Sequence, residues 1–176
     1  MEWTIRKAAA SDVDALGALY DDVCDELEGK PHNPGWRKGA FPTREDARWL
    51  LQRGAVLLAH AGGELAGTLA VNADPGAEEG AAIADDGANA LYIHIFAVHP
   101  AQRRRGVGAR LLDAACEYAA QAGAQALRLY VWERNDAAIA AYESSGFACI
   151  GRHDIGLGEY VPGLFCLYEK AIAPRS

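Results

Sequence analysis

The sequence is poor in several features that would otherwise direct a reading. No apolar stretch approaches the roughly 20 residues that a bilayer crossing demands, so no membrane span is expected. The opening Met1-Glu2-Trp3-Thr4-Ile5-Arg6 has no basic segment followed by an apolar run. No secretory signal is therefore expected, and the location expected is the cytoplasm. Positive charge is scarce: 17 Lys and Arg stand against 24 Asp and Glu, a formal net charge of −7. A nucleic-acid binder draws its affinity from neutralising phosphates, so this balance argues against one. The four cysteines, Cys24, Cys116, Cys149 and Cys166, include no C-x-x-C pair, and the five histidines form no ligand cluster. No metal site is expected. Cysteines so spaced read as free thiols packed as small hydrophobes in a reducing compartment.

What is present is enough apolar material for a core. Hydrophobic residues make up 51% of the 176 positions and charged residues 23%. A chain of this length buries about 70% of the surface its unfolded form exposes, which favours a single domain over residues 1–176. Thr4 to Ala8 reads as an opening strand. Ser11 is placed to cap an amphipathic helix carrying Val13, Leu16, Leu19, Tyr20 and Val23 at helical spacing. Residues 28–42 are broken by Gly29, Pro31, Pro34, Gly35 and Gly39, yet carry Trp36, Arg37, Lys38 and Phe41. Thr43 caps a second helix that runs to about Arg53.

Two strands, 56–60 and 65–71, then flank Gly62-Gly63, a hairpin signal. Residues 73–90 are acidic and aperiodic and read as an exposed loop. Leu91 to Val98 is the most apolar run and, being β-branched and aromatic, reads as a central strand. A long helix from Gly106 to Gly123, a strand 127–132, a short helix capped by Asn135 and closed by Gly146, and two last strands complete a mixed α/β order.

Chemistry gathers at His99 to Arg110. A buried strand there enters a turn with Gly106 and Gly108, and the turn enters a helix. The first turn of a helix has N–H groups without partners and carries partial positive charge, so it receives anions. The glycines remove Cβ atoms where a phosphate would approach the backbone. Arg103, Arg104, Arg105 and Arg110 concentrate cations on an otherwise acidic chain. The bland alternative is an arginine-rich solvated turn, which does not explain why the arginines gather at this one helix start. The spacing is neither G-x-G-x-x-G nor a P-loop.

With these residues the chain resembles the GNAT superfamily of acyl-CoA-dependent N-acetyltransferases. Arg103-Arg104-Arg105-Gly106-Val107-Gly108 matches that family's [QR]-x-x-G-x-[GA] pattern, and Phe96-Ala97-Val98-His99-Pro100 is typical of the strand before it. Asn135 to Phe147 resembles its second motif, N-x-x-A-x-x-x-Y-x-x-x-G-F. The resemblance runs from Ile5 to Glu169. It implies a mixed, mostly antiparallel sheet of about six to seven strands flanked by about four helices, with acetyl-CoA as co-substrate. It implies coenzyme contacts, mainly through main-chain atoms, from Phe96, Ala97, Val98, Arg103, Arg104, Arg105, Gly106, Val107, Gly108 and Ala109. Asn135 matches a coenzyme-touching asparagine, and it can cap its helix at the same time. Tyr142 matches the tyrosine that contacts the coenzyme and protonates the departing thiolate; its bland alternative is a core tyrosine.

An amine of pKa about 10 is mostly protonated at pH 7, and removing its proton costs about 4 kcal/mol. The central strand has no glutamate to accept that proton. It has His94, whose ordinary pKa suits the task, with Tyr92 two residues earlier on the same face. A structural histidine and a water chain are the alternatives. The resemblance places the acyl acceptor beside the first two helices, so the loop holding Trp36 is expected to frame its pocket, with Tyr92 nearby. The function expected is transfer of an acetyl group to a small-molecule primary amine by direct attack. A protein or peptide amine acetyltransferase and a non-catalytic acyl-CoA sensor are the other readings. A homodimer through a sheet edge is compatible, but no sequence feature specifies it.

Overall fold

The computed structural model describes residues 2–76 and 87–173. Seven strands form one sheet: β1 Trp3–Lys7, β2 Ala55–Ala61, β3 Glu64–Asn72, β4 Ala90–Val98, β5 Ala126–Trp132, β6 Ala148–His153 and β7 Phe165–Ala171. Their order across the sheet is β1-β2-β3-β4-β5-β7-β6, antiparallel throughout except for the parallel β4–β5 pair. Four α-helices accompany it: α1 Val13–Leu27, α2 Arg44–Leu51, α3 Val107–Gln121 and α4 Asp136–Ser144. The element order agrees with the sequence reading. Among the described residues no helix is long and apolar enough to cross a membrane.

Local chemistry accounts for most boundaries. The Gly62-Gly63 turn has both residues at positive φ, +58° and +88°, which matches the twist of a two-residue hairpin. Thr43 caps α2 in a reciprocal box with Asp46, whose carboxylate accepts the Thr43 N–H at 2.7 Å. Ser11 does not cap α1, contrary to the expectation. Ala10–Asp12 form a 3₁₀ turn first, and Asp12 accepts the Ala9 N–H at 2.8 Å while pairing with Arg6. Arg6 and that N–H hold the Asp12 carboxyl at about 2, below the ordinary carboxylate range.

Each face of the sheet has its own apolar cluster. Leu57, Leu69, Ile93, Leu127 and Leu129 pack under α3 and α4, against Leu111, Leu112 and Ala115. Val56, Leu58 and Ala70 pack on the opposite face against Leu16, Tyr20 and Leu50 of α1 and α2. Gly67 lets α3 approach closely, since a Cβ there would meet Ala97 O at 2.9 Å and Val107 Cγ1 at 3.1 Å.

Two irregularities of β4 position the site. Its ladder with β5 pairs only Ala90, Leu91 and Tyr92, with Ala126, Leu127 and Arg128; beyond them the strands part. Against β3, Thr68 pairs with Ala97 and Ala70 with His94, so β4 carries one extra residue, a β-bulge. Ile95 lies in it at φ +45°, a strained conformation for a β-branched residue. The bulge breaks the alternation: His94 and Ile95 both face α1, while Phe96 and Val98 turn back towards α3.

Candidate active site

The turn before α3 is built as an anion cradle. Arg104 at φ +60° and Gly106 at φ +83° bring left-handed residues into the turn, the backbone pattern of an anion nest. Gly106 is the helix N-cap, so the N–H groups of the first turn lack intrahelical acceptors. A Cβ at Gly106 would meet nothing within 4 Å, whereas one on Gly108 would lie 3.2 Å from Phe96 Cζ. Gly106 thus answers to backbone conformation, and Gly108 to packing on the strand. Arg103 is tied to α1 through Glu26 at 2.7 Å. Arg104 is exposed, lines the cleft and has no ion-pair partner among the described residues.

From this cradle a cleft of about 590 Å³ runs through the fork between β4 and β5. Residues 93–98 form one wall and 129–132 the other. Tyr142, brought in by α4, lines the fork and is ringed by Phe96, Phe147 and Tyr168 at centroid distances of 5.8, 6.1 and 6.4 Å. Burial pushes its phenol well above the ordinary tyrosine range, so the hydroxyl keeps its proton. Asn135 lines the same wall while its side chain accepts the Ala138 N–H at 3.3 Å, so capping and cleft contact coexist.

On the α1 side of the fork, His94 Nε2 lies 2.8 Å from the Asp74 carbonyl and 3.0 Å from Asn72 Oδ1. Burial pushes the ring's pKa down, and the Asp74 main chain and carboxylate only partly oppose this. The chamber beyond is lined by Trp36 and Phe41 of the α1–α2 connection and by Tyr130, Trp132, Leu157 and Phe165. Asn33 braces that connection, accepting the Trp36 N–H at 2.8 Å and donating to Trp36 O at 2.9 Å. The β6–β7 connection meets it from the other half of the sheet: a Cβ on Gly35, which sits at φ +87°, would lie 2.5 Å from Val161 Cγ2. Among the described residues the only Lys, Arg, Asp or Glu side chains on the cleft wall are Arg103 and Arg104, at the cradle end.

The family model for the GNAT acetyltransferase family matches residues 18–147. The chain belongs to the GNAT acetyltransferase family. Members of that family are acetyl-CoA-dependent acetyltransferases of amines. A GNAT acetyltransferase from Streptococcus pneumoniae superposes with a TM-score of 0.72 at 24% identity, covering 98% of this chain and 100% of that one. The structure of yncA from Salmonella typhimurium, solved with its cofactor acetyl-CoA, has a TM-score of 0.67 at 20% identity, covering 99% of this chain and 96% of that one. An uncharacterized protein of Mycobacterium leprae is 48% identical over 59 residues, 34% of this chain. That match spans only 16% of the curated relative's length.

Within this GNAT domain, Trp36, His94, Phe96, Ala97, Val98, Arg103, Arg104, Gly106, Val107, Gly108, Asn135 and Tyr142 all lie on the one cleft. Arg105 and Ala109 are exposed and are not on its wall; the Arg105 side chain turns to Gln102 at 3.4 Å. Tyr92, expected on the acceptor side, does not reach the cleft. It belongs to the part of β4 still paired with β5, is 4% exposed, and has its hydroxyl 3.5 Å from Arg128 Nη1. Of the loop residues, Trp36 and Phe41 face the chamber. Arg37 and Lys38 face a separate hollow beside Asp25 and Tyr160. The acidic stretch read as an exposed loop lies outside the described residues over 77–86. Among cysteines, Cys149 is exposed where a packed thiol was expected. Sequence reasoning missed Asn72, Gly76, Tyr130 and Phe165, because none belongs to a motif and each reaches the site through a strand, or for Gly76 the connection after one, that is distant in sequence.

Proposed function

We propose that this chain transfers an acetyl group from acetyl-CoA to the primary amine of a small molecule, by direct attack in a ternary complex. The observation that carries the reading is the continuity of one cleft from the anion cradle, through the fork, into an aromatic chamber whose described wall has no Lys, Arg, Asp or Glu. Backbone groups of residues 103–109 and of Phe96 to Val98, with Asn135, would hold the coenzyme; the left-handed cradle and the unpaired edge of β4 suit a pyrophosphate and an extended amide-bearing arm. Bound acetyl-CoA supplies an activated thioester. Tyr142, protonated and packed at the fork, acts as general acid towards the leaving sulfur. His94, neutral at physiological pH, accepts the proton that the amine must lose. No cysteine is among the described residues of the wall, which supports direct attack over an acyl-cysteine route. The α1–α2 and β6–β7 connections, which meet at Gly35 and Val161, each bring side chains to the chamber wall, Trp36 and Phe41 from one and Leu157 from the other, and this favours a compact amine over an extended basic peptide.

The test is coenzyme A release from acetyl-CoA with polyamines, arylalkylamines, amino acids, aminoglycosides and basic peptides as acceptors. Turnover led by a small amine is the expected result. Turnover led by the peptides would replace it with a protein-directed activity. Acetyl-CoA binding without turnover on any acceptor would favour the sensor.

A further inference from the structure

Asn72 and His94 sit on neighbouring strands, 22 residues apart in sequence, and meet beside the cleft. We infer that Asn72, with the Asp74 main chain, is a positioning residue that locks His94 in the Nε2–H tautomer and presents its Nδ1 as the proton acceptor for the amine. The inference rests on the base role proposed above for His94.

The tautomer follows from which groups can donate. Nε2 lies 2.8 Å from the Asp74 carbonyl, an oxygen that only accepts, so Nε2 carries the hydrogen. Its second neighbour is Asn72 Oδ1 at 3.0 Å. That amide is not free to turn its NH₂ to the ring, because Oδ1 also accepts the Asp74 N–H at 2.9 Å. One asparagine oxygen and one peptide carbonyl therefore share the Nε2–H, and in the neutral ring the lone pair is on Nδ1. Asn72 itself is 4% exposed, so this arrangement is shielded from competing water.

The Nδ1 edge is kept uncrowded by Gly76. A Cβ there would lie 3.0 Å from Nδ1 and 2.8 Å from Cε1, and both Gly76 and His94 line the cleft. When an ammonium substrate gives one proton to Nδ1, the amine gains its attacking lone pair and the ring becomes imidazolium. The Asp74 carbonyl and Asn72 Oδ1 still accept from Nε2–H and stabilise that charge; the proton later leaves Nδ1 for solvent. Among the described residues Asp74 is the charged group that acts on the ring, through its main chain and its carboxylate, while the titratable side chains of Tyr130 and His32 line the same cleft. The Asp74 carboxylate lies 3.9 Å from Arg53, and Arg128 is held by Glu169 at 2.7 Å.

Three variants and one spectrum test this in the full chain. Long-range ¹H–¹⁵N spectra of the wild type should report a pyrrole-type Nε2 and a pyridine-type Nδ1 for His94; the reverse assignment overturns the proposal. Asn72→Asp keeps the shape but adds a carboxylate, and should move the acidic limb of kcat/KM for the amine upward by about one pH unit. Asn72→Ala should lower kcat roughly tenfold and leave acetyl-CoA affinity within about twofold. Gly76→Ala, which crowds Nδ1 and strains a left-handed position at φ +74°, should also lower kcat without moving that affinity. An Asn72→Asp profile superimposable on the wild type overturns the role of Asn72 while the acetyltransferase reading stands. Absence of turnover on every amine strikes that reading instead, and the tautomer spectrum still decides whether the clamp exists.

Discussion

At the scale of single residues, the proposed reaction assigns proton traffic to two side chains, and their environments set which way each would move it. Tyr142 is buried among three aromatic rings and holds its proton, so it can only donate. Tyr142→Phe keeps the ring packing and removes the donor. We expect kcat to fall by about 10²-fold or more while the acetyl-CoA dissociation constant barely changes; calorimetry beside steady-state rates checks both. His94 moves the opposite way, since burial disfavours its charged form. Its neutral form therefore persists below the ordinary imidazole value of about 6.5, and the acidic limb of kcat/KM should fall below that pH. His94→Ala leaves deprotonation to the amine itself, shifting the pH dependence of turnover upward. A pH profile unchanged by this substitution would remove His94 from the mechanism.

At the scale of elements, the cradle depends on how α3 begins and on how β4 misaligns. Gly106 has open space around its missing Cβ, so its requirement is conformational: a left-handed alanine costs about 1–2 kcal/mol. A turn that relaxes from this strain loses the aim of its N–H groups. Gly106→Ala should therefore weaken acetyl-CoA binding by roughly tenfold, the equivalent of about 1.4 kcal/mol. Arg105→Ala, on an exposed side chain turned away from the cleft, should change it by less than about twofold. Equal losses from both variants would mean that side-chain charge, rather than the backbone nest, holds the coenzyme. The helix start was legible in the sequence because Arg103 to Gly108 is a contiguous local pattern. The bulge at Ile95 was not, since it exists only in the register between β3 and β4.

At the scale of the whole molecule, the chamber is walled in part by two connections from opposite halves of the sheet, through Trp36 and Phe41 on one and Leu157 on the other, and these connections meet at Gly35 and Val161. Gly35 is both left-handed and in close approach, so any side chain there must part the two. We expect Gly35→Ala to lower kcat/KM for the amine by roughly tenfold to a hundredfold, through misplacement of the acceptor. Acetyl-CoA affinity, which the proposed coenzyme site at the far end of the cleft would set, should stay unchanged. Matched titrations of amine and coenzyme distinguish this from a general loss of fold, in which both would weaken together.

Element order, both motif segments and most caps followed from the sequence alone, because each rests on contacts within a few residues: a glycine's φ, a threonine's cap, the period of apolar positions. Trp36 on the cleft wall was also legible, as an aromatic in a loop otherwise built to turn. Tertiary structure decided what reaches the cleft. Strict alternation puts Tyr92 and His94 on one face, yet β4 stays paired with β5 through Tyr92 and parts from it only afterwards, so one is sealed in and the other lines the opening. The Asn72–His94 and Gly35–Val161 contacts likewise join residues 22 and 126 positions apart. Such pairings depend on which strands and connections are neighbours in space, and local sequence carries no record of that.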